Sequence, residues 1–164
     1  MLQFLSSRFL TKFLFITIFS LLVGVNLSCI EDETVVKAPM SRELRLFQAV
    51  EKGNLELVKD LLAEGVSINA KDSLGNSALI KAVDEEELAI VKFLIHKGAN
   101  VNLRNTTGET ALYRAVYRGN LDLVKLLVTA GAETKVKTVG GISVLELAEE
   151  RGEEGILNYL SSRK

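Results

Sequence analysis

The sequence NTTGETALYRAVYRGNLDLVKLLVTAGAETKVK, residues 105–137, decides the fold of this chain. When the numbering is shifted by 33 residues in either direction, the same landmarks return. A fixed period of this length is typical of a stacked repeat array. The landmarks form six series in one register: Gly75, Gly108 and Gly141; Leu46, Leu79, Leu112 and Leu145; Ala49, Ala82, Ala115 and Ala148; Val58, Val91 and Val124; Leu61, Leu94, Leu127 and Leu160; Gly65, Gly98 and Gly131.

Each unit reads as a turn followed by two short helices. In the quoted unit, Asn105 can bond the backbone two residues on, and Gly108 suits the end of the turn. The hydroxyl of Thr110 precedes an apolar helical stretch and can accept a hydrogen bond from an amide of the first turn, which makes it a helix cap. Gly131 follows the second apolar stretch, where a left-handed residue commonly ends a helix. One such helix pair cannot bury its apolar face alone, so neighbouring pairs must stack.

With these landmarks the unit resembles the ankyrin repeat, a β-turn followed by two antiparallel helices. The resemblance covers about Ser41 to Leu160 and implies an all-α solenoid of about four helix-turn-helix units, linked by β-turn or hairpin loops. The family's usual Thr-Pro-Leu-His run is Thr110-Ala111-Leu112-Tyr113 here, without the proline and the histidine. A repeat domain of residues 41–164 would contain units at about 41–71, 72–104, 105–137 and 138–164.

One unit departs from the pattern at the corner between its two helices. Gly53, Gly119 and Gly152 occupy this corner in the other units, whereas the second unit has Glu86. A non-glycine residue in a left-handed corner costs roughly 1 kcal/mol or more. The corner of the second unit is therefore either a different turn or a strained left-handed one.

The first residues of the chain have the pattern of an export signal. Residues 13–25 are almost unbroken apolar, Arg8 and Lys12 precede them, and no acid lies within residues 1–28. A positive start, an apolar core and small residues after it are typical of a secretory signal peptide, which we assign to residues 1–28. The alternative is a transmembrane anchor, which needs roughly 18 apolar residues.

Cys29, the only cysteine of the chain, follows directly. One thiol cannot form an internal disulfide. The segment Asn26-Leu27-Ser28-Cys29 resembles the lipobox of bacterial lipoproteins, which implies a diacylglycerol on Cys29 and a membrane-anchored protein at the periplasmic or cell-surface side of the bacterial envelope. The alternative is a small cysteine that only happens to end the signal. Residues 29–40, charged and without apolar periodicity, would form a flexible tether.

The composition and the motifs argue against several classes of function. Removal of residues 1–28 leaves 18 basic against 21 acidic residues, without the basic stripe that nucleic acid requires. The sole histidine, His96, lies at a predicted helix end and has no nucleophile to activate, and one histidine cannot form a metal site. We therefore expect a non-enzymatic monomer with no cofactor, no metal and no nucleic-acid partner.

The resemblance also implies a binding face. In ankyrin-like arrays the hairpin tips and the exposed side of the first helices form a concave surface that binds another protein. Tyr117 and Arg118 are adjacent there and are of types enriched in interface hot spots, although Tyr117 could instead pack over a neighbouring helix. The predicted partner-binding residues are Leu74, Asn76, Asp84, Glu85, Thr106, Glu109, Tyr117, Arg118, Ile142 and Arg151.

Two functions fit such a face. The first is a rigid protein–protein interaction module that binds by shape and performs no chemistry. The alternative is an inhibitor or immunity-type protein, whose acidic run Asp84–Glu87 would meet a basic active cleft of an enzyme.

Overall fold

The computed structural model describes residues 40–162, and within this range the chain forms four helix pairs and no extended strand. The predicted all-α repeat solenoid is confirmed. The predicted signal peptide, Cys29 and all of the tether except Met40 lie outside the described residues. The helices are α1 (Arg42–Glu51), α2 (Leu55–Ala63), α3 (Ala78–Asp84), α4 (Leu88–His96), α5 (Ala111–Tyr117), α6 (Leu121–Thr129), α7 (Val144–Glu150) and α8 (Glu154–Ser161).

The first helix of each later pair begins at the hydroxyl that occupies the position of Thr110 in its unit, where the sequence predicts a cap. Ser77, Thr110 and Ser143 each accept a hydrogen bond at 3.2 Å from the amide three residues on. At Ser143 the cap is reciprocal, because the Ser143 amide donates to Glu146 Oε2 at 2.7 Å. The hydrogen bond from the Ser143 amide to the ionised carboxylate lowers the pKa of Glu146. The capping predictions are therefore confirmed.

The pairs stack side by side, so that the first helices form one layer and the second helices another. In the first layer α1 packs on α3, α3 on α5, and α5 on α7. Ala49, Ala82, Ala115 and Ala148 are buried, at the register position that recurs in each first helix. A larger side chain at these positions would push neighbouring helices apart, which accounts for the recurring alanine.

The leucine series is equivalent in the first three pairs and differs in the last. Leu46, Leu79 and Leu112 are fully buried, whereas Leu145 is only partly buried. The reason is its place in the last pair, since within residues 40–162 no further helix stacks on the outer side of α7. Leu145 is therefore not buried as its place in the leucine series indicates.

The corner at Glu86 is left-handed, with a φ of +58°, like the corners at Gly53, Gly119 and Gly152. This decides between the two alternatives that the sequence leaves open. The side chain of Glu86 contributes to the stack, because its Oε1 accepts a hydrogen bond from Asn120 Nδ2 of the next pair at 3.0 Å. This bond offsets part of the backbone strain.

The helices of the described range are short. None of those within residues 40–162 is long and apolar enough to cross a membrane.

Candidate functional site

The hairpins that join successive helix pairs are built by their first residue. Asp72 Oδ1 accepts hydrogen bonds from the amides of Leu74 at 2.9 Å and Asn76 at 2.8 Å. Asn105 repeats this arrangement one unit later. The amide of Gly75 closes the turn on the Asp72 carbonyl at 3.0 Å, with a φ of +77° that favours glycine.

These hairpins and the exposed sides of α1, α3, α5 and α7 line one surface, which we call the trough. Its N-terminal part is a hollow lined by α1, the first hairpin and Lys81 of α3. Because the hairpins and the first helices recur with the 33-residue period, side chains from all four units face this surface.

Neighbouring hairpins are fastened to one another along the trough. Asn105 Nδ2 donates to Asn76 Oδ1 at 3.0 Å, and both the amide and the hydroxyl of Thr106 donate to the Leu74 carbonyl, at 3.1 and 2.8 Å. The next hairpin is joined by the Val139 amide, which donates to the Thr107 carbonyl at 2.9 Å. The spacing between hairpins is therefore fixed by direct bonds.

A row of basic residues makes a second set of bonds between hairpins. Lys71 Nζ donates to the Arg104 carbonyl at 2.8 Å, and Arg104 Nη2 donates to the Lys137 carbonyl. Lys137 begins the last hairpin, and its Nζ lies 3.6 Å from the Glu146 carboxylate. Sequence reasoning missed this row, although its members recur at the period of 33 residues.

Ion pairs cross from one first helix to the next along the trough. Lys81 Nζ lies 2.6 Å from the Glu51 carboxylate, and Arg118 donates to Asp84 at 3.1 Å. Arg114 Nη1 lies 3.8 Å from the same Asp84 oxygen. Hydrogen bonding to these carboxylates raises the pKa of both Lys81 and Arg118. The charges in the middle of the trough are therefore largely compensated within the protein.

Tyr117 lies at the surface of the trough, 44% exposed, with cations on its ring. The guanidinium carbon of Arg151, from the next unit, lies 4.6 Å from the ring centre, and that of Arg114 lies 5.9 Å away. Arg114 also lies 3.4 Å from Glu109 Oε2. Next to it, burial raises the pKa of the half-buried Tyr113. Tyr117 is thus a surface residue held by cation–π contacts, and it is not part of the core.

The predicted partner-binding residues differ in accessibility. Asn76 is only 7% exposed, because its side chain bonds Asp72 at 3.1 Å and accepts from Asn105, so its placement on the exposed face is wrong. Leu74, Glu85, Thr106, Tyr117, Arg118 and Arg151 are exposed, and Asp84, Glu109 and Ile142 are half-buried. These nine residues belong to the hairpins and the first-helix ends that line the trough. Their role in binding stays a prediction.

Two further trough residues escaped the sequence prediction. Leu44 is 48% exposed and Phe47 is buried, and both line the N-terminal hollow together with Leu74. They belong to the first unit, which lacks the opening turn that sets the register elsewhere.

Groups of side chains suited to a metal ion do not occur within the described range, where no cluster of three or more His, Cys, Asp or Glu residues is found. His96 lies in the last turn of α4. Many of the hydrogen bonds and ion pairs described above join one repeat to the next, and the arrangement suits recognition of a surface.

Stacked helix pairs with a fixed trough define a repeat protein that presents a binding surface. The chain belongs to the ankyrin-repeat family: the family model for ankyrin repeats (3 copies) matches residues 46–138, more than half of the chain. A search of curated proteins finds no match. The match runs from within α1 to the hairpin after α6, and α7 and α8 add a fourth pair. Ankyrin repeats indicate a protein–protein interaction module, in a family that is generally non-catalytic.

Proposed function

We propose that this chain is an exported, lipid-anchored ankyrin-repeat protein that captures another protein in the trough without catalysis. The observation that carries the proposal is the exposure of Tyr117 at the centre of the array, flanked by arginines from its own unit and the next. Tyrosine and arginine are the residue types that most often dominate the binding energy of an interface.

The bonds between hairpins support capture by a rigid surface. Thr106, Val139 and Arg104 each bond the backbone of a neighbouring hairpin. A surface held in this way loses little conformational entropy on binding, so more of the contact energy appears as affinity.

The double substitution Tyr117→Ala and Arg118→Ala tests the proposal. Crosslinking in intact cells, followed by mass spectrometry, should recover a partner with the wild-type chain and lose it with the double variant. The helical circular dichroism signal should persist, because Tyr117 is exposed and a surface ion pair such as Arg118–Asp84 contributes about 0–1 kcal/mol.

Lys125→Ala is the matched control, since Lys125 is exposed on the second helix α6 and not on the trough. Capture should be unchanged in this variant. Equal recovery of the partner with the double variant and the wild type would refute the trough as the binding face. Loss of the helical signal in the double variant would mean that Tyr117 supports the fold.

Export and anchoring rest on the N-terminal sequence. With Cys29→Ser, the protein should leave the membrane fraction for the soluble one, because two acyl chains bury many methylenes at about 0.8 kcal/mol each. Fractionation of cells with immunodetection measures this. Retention of Cys29→Ser in the membrane would instead support the uncleaved hydrophobic anchor. A Ser28→Ala control keeps a small residue before the cysteine and should stay with the membrane.

The inhibitor alternative gains no support from the acidic run Asp84–Glu87. Asp84 pairs with Arg118, Glu86 accepts from Asn120, and the carboxylate of Glu87 lies over Gly53 of the preceding unit. Asp84 is thus compensated by arginine, and the side chains of Glu86 and Glu87 are engaged by neighbouring units, so the run offers a basic cleft less than the sequence indicates. We therefore favour general protein capture.

A further inference from the structure

Two features of the trough are available to a ligand, an exposed apolar surface near one end and an arginine without a carboxylate partner near the other. The first is the N-terminal hollow, about 450 Å³, which we call the notch. Leu44, Phe47 and Leu74 are its apolar lining, and charged side chains, among them the paired Glu51 and Lys81, line the rest. Leu74 is 62% exposed and Leu44 48% exposed, while Phe47 is buried. The two exposed leucines of this hollow can contact one apolar side chain of a ligand.

The second place is the guanidinium of Arg151. Among residues 40–162 it has no carboxylate within 4.0 Å, and its contact is the stack on the Tyr117 ring. By contrast, Arg114 and Arg118 are close to Asp84 or Glu109. A guanidinium stacked on a ring keeps its N–H edge free, and that edge matches the two oxygens of a carboxylate.

Between the two places the trough is electrically compensated, because Asp84 meets two arginines. A ligand that crosses the middle therefore gains little by carrying charge there. The selectivity of the trough resides at its ends.

The two ends lie diagonally across the trough. The notch is between the first and second units at the N-terminal ends of their first helices, and Arg151 is between the third and fourth units at the C-terminal ends. The diagonal distance between the notch and Arg151 spans two helix-to-helix spacings and one helix length, which gives about 20 Å. An extended peptide covers that distance in roughly six residues.

We propose that the trough binds an extended segment of its partner protein that places an apolar side chain in the notch and a carboxylate on Arg151. This rests on the proposed function and adds the chemistry of the partner. The compensated middle should accept small or neutral residues.

A displayed library of random dodecapeptides, selected on the full chain in detergent micelles, tests the inference. Enriched peptides should carry Asp or Glu roughly six positions from Leu, Ile, Val or Phe. Arg151→Glu should weaken the best peptide at least about tenfold, and changing its acid to Lys should restore binding to that variant. Leu74→Ser should remove the apolar preference and keep the acidic one. Lys125→Glu, the same charge reversal on α6, should change neither.

Enriched peptides without an acidic preference, or binding that Arg151→Glu and Lys125→Glu weaken equally, would overturn the inference. So would a library that yields no enriched sequence. The proposed function would survive these results if Tyr117→Ala with Arg118→Ala still lost the crosslinked partner. It would fail separately if that double variant captured the partner as the wild type does.

Discussion

Leu112→Ala is expected to lower the free energy of unfolding by about 2–5 kcal/mol, the range for deleting a fully buried leucine side chain. Leu112 lies within α5, which packs on α3, α6 and α7, so the neighbours on every side limit collapse of the cavity. Leu145→Ala is the matched control, with the same residue type at the same register position. Its side chain is only partly buried because α7 has no outer neighbour in the described range, so we expect a clearly smaller loss.

Urea unfolding of the full chain in detergent micelles, followed by circular dichroism at the helix band, measures both variants. Stacking predicts that Leu112→Ala shifts the midpoint far more than Leu145→Ala. Equal shifts would contradict the difference between an interior and a terminal unit.

Gly108→Ala is expected to destabilise the protein more than Gly141→Ala, although the two glycines have nearly the same backbone conformation. Their φ angles are +80° and +82°, so each alanine pays about 1–2 kcal/mol for a left-handed residue. At Gly108 an added Cβ would also lie 2.9 Å from the backbone nitrogen of Val139 in the next hairpin. At Gly141 an added Cβ would have nothing within 4 Å.

The expected difference is about 1–3 kcal/mol, the usual cost of overpacking. The same urea titration measures this difference in the free energy of unfolding. The backbone strain is common to both variants and cancels in the comparison. If the two variants lost equal stability, the hairpins would not be packed as closely as the hydrogen bond from the Val139 amide to the Thr107 carbonyl implies.

The period of the sequence predicts which residues are equivalent, and this equivalence is sufficient to predict the fold. The buried alanines, the hydroxyl caps at Ser77 and Thr110 and the left-handed glycines all follow from position within one unit. The burial of Leu145 does not follow from its position within the unit, because it depends on whether another helix pair packs beside it.

Contacts between units are harder to predict. The sequence placed Asn76 on the exposed face, but its amide completes a network with Asp72 and Asn105. Similarly, the period cannot show that Arg151 reaches back to the ring of Tyr117, since their side chains come from different units and different register positions. The site therefore depends on side-chain geometry that the register leaves open.

Photo-crosslinking from a single position tests the central claim most directly. A photoreactive phenylalanine analogue replaces Tyr117 in one strain and Lys125 in another, and intact cells are irradiated. If the trough is the capture surface, a discrete crosslinked partner should form from position 117 and not from position 125. A partner crosslinked from position 125 alone, or equally from both positions, would contradict the account.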